Sequence, residues 1–195
     1  MIRIGITGGI GSGKSVVSRI MTVMGIPVYN SDAEARRLMN TDFVIREELI
    51  SLLGEGVYRE GELNKPLLSS YLFANPENAN RINSIVHPRV REDFCQWASD
   101  NSLADILAQE SAILFESGFA DMFDKTVMVY APLEIRVARV MQRDGLSEEA
   151  VLQRVQRQMD DDRKKLMADY VIVNDDITPL IPQVEKLVGS IRSRF

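Results

Sequence analysis

The sequence predicts an α/β protein, a parallel five-stranded sheet flanked by helices, and two observations carry that reading. Apolar runs of strand length alternate with stretches of helical periodicity, the pattern of a parallel sheet covered on both faces. Five of the chain's twelve glycines fall in one cluster, "GITGGIGSGKS" at 5–15, between the first strand and the first helix.

Taken in order, Ile2, Ile4 and Ile6 alternate and predict a strand over 2–6. "SVVSRIMTVMG", following Lys14, has helical spacing and a glycine, Gly25, placed to end it. "IPVYN" at 26–30 reads as the second strand, and the apolar part of "DILAQESAILF" at 105–115 as the third. "TVMVYAP" at 126–132 and "DYVIVN" at 169–174 supply the last two, both rich in Val, Ile and Tyr. Helical patterns cover about 32–39, 43–53, 77–100, 133–143, 147–167 and 179–192. Two stretches interrupt the alternation. The expected organisation is one domain with a core at about 1–31, 105–132 and 168–195, a helical insert at about 32–104 and a small helical lid at about 133–167. Pro88, in "INSIVHPRVRE", predicts a break or kink in the long helix of the insert, and Phe94 and Trp97 read as packing residues.

With 45% hydrophobic and 26% charged residues the composition is that of a soluble globular protein. The net charge of −5 argues against a nucleic-acid partner. No apolar run approaches the roughly 20 residues of a membrane span, and "MIRIGIT" has no signal-peptide character. The single cysteine, Cys95, cannot form an internal disulfide and reads as a small buried thiol. The expectation is a cytoplasmic protein, a monomer or weak homo-oligomer, acting on small molecules.

Gly8-x-x-x-x-Gly13-Lys14-Ser15 is the phosphate-binding pattern of P-loop nucleoside triphosphatases, in the strand-before, helix-after context that confirms it. A loop wrapped round a phosphate aims successive N–H groups inward, with backbone angles and a closeness that a Cβ would obstruct. The helix that follows adds its positive dipole end. Lys14 puts a mobile cation at the β- and γ-phosphates, and the Ser15 hydroxyl can bind Mg²⁺. The expected ATP-binding set therefore includes Gly8, Gly9, Gly11, Ser12, Gly13, Lys14, Ser15 and Val16.

What accepts the phosphate is a separate question. A guanine-reading N-K-x-D element is missing, since "NKPL" at 64–67 has leucine where the aspartate belongs. "AILFE", ending in Glu116, is suggestive of the acid-terminated strand of a motor without matching it. A small-molecule kinase needs a P-loop, an acceptor lobe with a base, and an arginine-bearing lid that excludes water, and candidates for all three are present. Asp32, just after the second strand, is either the base or the N-cap of the next helix. Arg136, Arg139 and Arg143 share one helical face, and a solvated, salt-bridged surface explains Arg136 better than the other two. His87, with Arg89 and Arg91 nearby, is either a packed histidine or a contact for an anionic acceptor.

Together these segments resemble the dephospho-coenzyme A kinase family over nearly the whole chain. "GITGGIGSGKS" is similar to that family's opening, and "GIPVYNSDAEARRL" to its second-strand segment, where the usual D-A-D has lost its first aspartate to Asn30. "GELNKPLL", "LFANPEN" and "INSIVHPRV" resemble its acceptor lobe, and "AILFESG" resembles P-L-L-F-E-S-G with Ala112 for proline. "RVARVMQRDGLSEEAVLQRVQRQ" and "KKLMADYVIVND" resemble its lid and last strand. The resemblance implies transfer of the γ-phosphate of ATP to the ribose 3′-hydroxyl of dephospho-CoA; another P-loop kinase of a small metabolite is the alternative. It implies Asp32 as base, Arg139 as the lid arginine and Thr7, Lys14 and Ser15 along the triphosphate, with Arg143 also on the nucleotide. His87, Arg89 and Glu116 fall on the acceptor side, and Asn174 and Asp175 near the adenine.

Overall fold

The computed structural model describes residues 1–193. The chain divides into two units, one of residues 1–30 with the chain from Asn101 onward, the other of residues 31–100.

The first unit begins with strand β1 (Ile2–Thr7) and helix α1 (Lys14–Val23), then strand β2 (Val28–Asn30). Gly25, at φ +81°, closes α1: the Ile26 N–H reaches the Met21 carbonyl and the Gly25 N–H the Thr22 carbonyl. This paired closure is why the chain can turn at once into β2.

The 31–100 unit holds helices α2 (Ser31–Thr41) and α3 (Phe43–Leu53), a hairpin of β3 (Tyr58–Arg59) and β4 (Glu62–Leu63), then α4 (Lys65–Ala74) and α5 (Pro76–Asp100). Asp42 caps α3 by accepting the Ile45 N–H at 3.0 Å, and Asn64 caps α4 by accepting that of Leu67. Sequence reading missed α4, although Asn64 and Pro66 mark its start, and missed the hairpin. The hairpin's two turn residues, Glu60 and Gly61, both take positive φ, the geometry of a tight hairpin turn. Ile82, Val86, Val90, Phe94 and Ala98 are buried at a spacing of four, one stripe down α5, against which α2, α3 and α4 pack. Of the expected break or kink at Pro88, the break does not occur: α5 continues through it, because apolar burial on both sides outweighs one missing backbone hydrogen bond. Phe94 stacks on Trp97 with centroids 5.9 Å apart, as expected of packing residues. Cys95, expected to be buried, is exposed: the stripe uses Phe94 and Ala98 and turns Cys95 outward.

The chain re-enters the first unit with β5 (Ile106–Glu110), β6 (Lys125–Tyr130), helices α6 (Leu133–Asp144), α7 (Glu148–Val155) and α8 (Asp161–Met167), β7 (Tyr170–Val173) and α9 (Leu180–Arg192). The expected single helix over 147–167 is therefore two. The five strands are all parallel in the order β2-β5-β1-β6-β7. Ile4, Ile6, Ala108, Val127, Val129 and Ile172 meet Val17 and Met21 of α1 and Val184, Leu187 and Val188 of α9 in one apolar core. No helix among the described residues is long and apolar enough to cross a membrane. The carboxyl ends of the strands, Thr7, Asn30, Glu110, Tyr130 and Val173, share one edge, where open parallel sheets place their ligands.

Candidate active site

At that edge β1 turns into the loop 8–13, and Lys14 opens α1. The Lys14 Nζ donates to the carbonyls of Gly8 at 3.0 Å and Gly9 at 3.2 Å, curling over the loop it follows. Gly8, Gly11 and Gly13 all take positive φ. Gly13 is constrained twice, by φ +91° and by the Asn174 side chain, whose Nδ2 lies 2.1 Å from where a Cβ would sit. Gly9 carries no positive φ, but a Cβ there would stand 1.9 Å from Arg136 Nη1. The glycines thus admit neighbouring protein. Ser15 and Val16 are exposed on the first turn of α1, whereas the Thr7 and Ser12 hydroxyls are buried and without a hydrogen-bond partner.

Helix α6 lies on this loop. Arg139 donates to the Gly11 carbonyl at 3.4 Å and, through Nη2, to the Asn174 carbonyl at 3.1 Å and to Asp176. Asn174 Nδ2 in turn donates to the Ser12 carbonyl at 2.8 Å. Asp175 accepts from Ile177 and Thr178 of its own turn, and these donors hold its carboxyl below the usual range. The expected contrast among the arginines is reversed for Arg136, which is only 4% exposed and pairs with Asp161 at 2.6 Å. Arg143, by contrast, is exposed on the last turn of α6 and pairs with Asp144. Gly145, with φ +66°, ends the helix there, so Arg143 sits in the last turn of α6, one turn beyond Arg139.

Glu110, unremarked in the sequence, ends β5 beside Ile6 of β1 and Asn30 of β2 in register. It is buried and accepts from Asn30 Nδ2 at 3.4 Å. The signal was available: an acid closes the strand just where the sheet edge turns toward the loop. "AILFE" had drawn attention instead, but 112–118 is a run of turns, not strand, whose Leu114 packs over Gly5. Glu116 Oε1 accepts from the fully buried Lys164 and from the Met159 N–H, each at 2.8 Å.

The family model for dephospho-CoA kinase matches residues 2–179. The dephospho-CoA kinase of Bacteroides fragilis is 56% identical over 188 residues, spanning 96% of this chain and 92% of that one. That of Porphyromonas gingivalis is 43% identical over 195 residues, spanning 100% of this chain and 96% of its own. The chain belongs to the dephospho-CoA kinase family. As a member it is an ATP-dependent kinase of coenzyme A biosynthesis. A crystal structure from Thermus thermophilus superimposes with a TM-score of 0.84 at 36% identity, covering 100% of this chain and 97% of its own.

The remaining candidates lie in the 31–100 unit. Asp32 is exposed in the first turn of α2, two residues beyond the end of β2. His87 is half-buried on α5, and its burial lowers its pKa, favouring the neutral ring. Arg89 donates to Asp42 Oδ2 through Nε at 3.0 Å and Nη2 at 2.8 Å, and also pairs with Glu92. It thereby ties the α3 cap to α5. Burial works to raise the Asp42 carboxyl, but Arg89 and the Ile45 N–H outweigh it and hold it below the ordinary value.

Proposed function

We propose that this chain transfers the γ-phosphate of ATP to the ribose 3′-hydroxyl of dephospho-CoA, with Asp32 as the base. The observation that carries this reading is the loop at the head of α1, where Lys14 folds back on the Gly8 and Gly9 carbonyls and Arg139 approaches from α6. The loop amides and Lys14 hold the phosphates, and Arg139 meets the charge that develops on the migrating group. The acceptor oxygen bonds to the γ-phosphorus as the bond to the bridging oxygen breaks, ADP leaves, and Asp32 takes the hydroxyl proton. Such a transition state is loose, so an ordinary carboxylate is base enough and positioning does most of the work.

Mg²⁺ fits the donors present: the Ser15 hydroxyl and the Glu110 carboxylate are hard oxygen ligands, and this ion commonly takes one or two protein groups beside water and phosphate. Among the described residues no cluster of three acidic, His or Cys groups competes as a separate metal site. When bound, the ion neutralises phosphate charge. Asn174 braces the loop and Asp175 shapes the turn near the adenine. Arg143 would have to leave Asp144 to reach a nucleotide, so the lid charge is assigned to Arg139. His87 is the acceptor contact on α5, with Arg89 holding that helix in place and Glu116 anchoring the lid. The same reading makes the enzyme cytoplasmic, a monomer or weak homo-oligomer, with no nucleic-acid or membrane partner, built as a core, an acceptor-binding insert and a lid.

The test is ADP release from ATP and Mg²⁺ with dephospho-CoA, AMP, CMP, gluconate, shikimate or no acceptor. Only dephospho-CoA should support turnover, and phosphate should appear at the 3′ position. Asp32→Asn should lower turnover at least about a hundredfold with ATP affinity near normal; wild-type turnover in that variant would remove Asp32 from the role.

A further inference from the structure

Two side chains of the 133–167 segment bond one residue of the phosphate loop, and a third holds one of them in place. The Ile10 N–H donates to Gln158 Oε1 at 2.8 Å, from the turn after α7. The Ile10 carbonyl accepts from Arg136 Nη1 of α6 at 3.4 Å. Asp161, the first residue of α8, holds the same guanidinium through Nη2 at 2.6 Å. Both peptide groups flanking Ile10 are therefore bonded to side chains from beyond residue 132.

The arginine is not placed for its own satisfaction. Arg136 is almost wholly buried, yet its Nε has no partner. A guanidinium that served only to fill a core would use that donor, because an unmet buried donor is costly. Instead the group is wedged against Gly9, with Nη1 occupying the space of a Cβ, while the Arg136 carbonyl lies 2.5 Å from where a Cβ of Gly11 would be. Burial raises the Asp161 carboxyl, and Arg136 and Lys164 oppose that rise, so the pair is held in a poorly hydrated place. Breaking such a pair from one side leaves an uncompensated charge, which makes the contact rigid.

We propose that Arg136 is a positioning residue for the phosphate loop, clamped by Asp161 and assisted by Gln158, so that the lid sets the loop geometry on which ATP binds. The proposal rests on the reading that this loop holds the ATP phosphates. It also assigns the absence of a side chain at Gly9 to the guanidinium rather than to the nucleotide.

The test uses the full chain and two readouts: ADP affinity by calorimetry, and KM and kcat for each substrate. Arg136→Met and Asp161→Asn should each weaken ADP binding and raise the KM for ATP about tenfold. The KM for dephospho-CoA should stay within about twofold of wild type. The double variant should be no worse than the worse single one, since both remove the same strut. Gly9→Ala should weaken ADP binding about tenfold in the wild-type background and under about threefold in the Arg136→Met background. Equal cost of Gly9→Ala in both backgrounds, or unchanged ADP affinity in Arg136→Met, would overturn the proposal. If Arg136→Met does not fold, Arg136→Lys, which keeps the charge and loses the planar fork, takes its place in both measurements. A wild-type chain that binds ADP but fails to phosphorylate dephospho-CoA would sink the assigned reaction, while the ADP cycle would still decide the clamp.

Discussion

Two turns leave the same edge of the sheet, one after β1 and one after β5, and they are built in opposite ways. The first is made of glycine and main chain: its groups are peptide N–H and C=O, with one ammonium, Lys14, bent over them. The second, residues 111–118, is made of side chains: Leu114 fills the space above Gly5, and Glu116 grips a buried lysine. Where chemistry resides in the backbone, the sequence must spell out the backbone conformation, and the residue types are diagnostic. Where it resides in side chains placed by packing, the same stretch reads equally well as a strand. On the proposed reading the difference also divides labour, with binding in the first turn and anchoring of the lid in the second.

The largest expected effect tests that division at the first turn. Lys14→Ala should lower turnover by about a thousandfold, the size of loss seen when one pre-positioned charge donor is removed from a transition state. Stability should fall by no more than about 1–3 kcal/mol, the cost of leaving the buried Gly8 and Gly9 carbonyls without the ammonium that donates to them. Measured by initial rates and thermal melting, a large loss of stability with preserved turnover would make this turn an anchor like the other.

Legibility followed the same line. The strands, α1 with its glycine stop and α9 were readable because their patterns are local: alternation, 3.6-residue spacing and an αL glycine. The loop's place between β1 and α1 was readable because few other backbones need glycine at that spacing. Glu110 escaped because the strand boundary, on which its meaning depends, comes from pairing with Ile6 and Asn30 rather than from its own segment. Arg136 and Cys95 were misjudged for a related reason. A charged helix shows its amphipathic face but not which charge is covered by a neighbour, and Asp161 lies twenty-five residues away in sequence. The helix does not stop at Pro88, because a local rule met a five-residue apolar stripe.

The second turn should yield a smaller effect of a different kind. Lys164 is fully buried and donates to the Ala112 carbonyl at 2.9 Å as well as to Glu116. Glu116→Ala should cost about 3 kcal/mol of stability, because it strands that ammonium. In the same variant the ratio of kcat to KM for ATP should fall less than Lys14→Ala makes it fall, measured well below the melting temperature. A collapse of turnover without loss of stability would move Glu116 from the anchor to the reacting groups and erase the distinction drawn between the turns.

The smallest effect is the sharpest probe of the first turn. Thr7 at the end of β1 and Ser12 in the loop hide hydroxyls that no protein group meets. A buried, unmet hydroxyl destabilises the free protein, so its removal should be neutral or favourable when nothing is bound. Thr7→Val keeps the branched shape and removes only the oxygen's hydrogen bonding; Ser12→Ala does the same for a smaller group. Both variants should melt at or slightly above the wild-type temperature without nucleotide, and should gain less than wild type when ATP and Mg²⁺ are added, because ligand stabilisation scales with affinity. If instead they melt lower alone and gain the same increment, the hydroxyls belong to the folded loop, and the first turn would depend on side-chain packing as much as the second does.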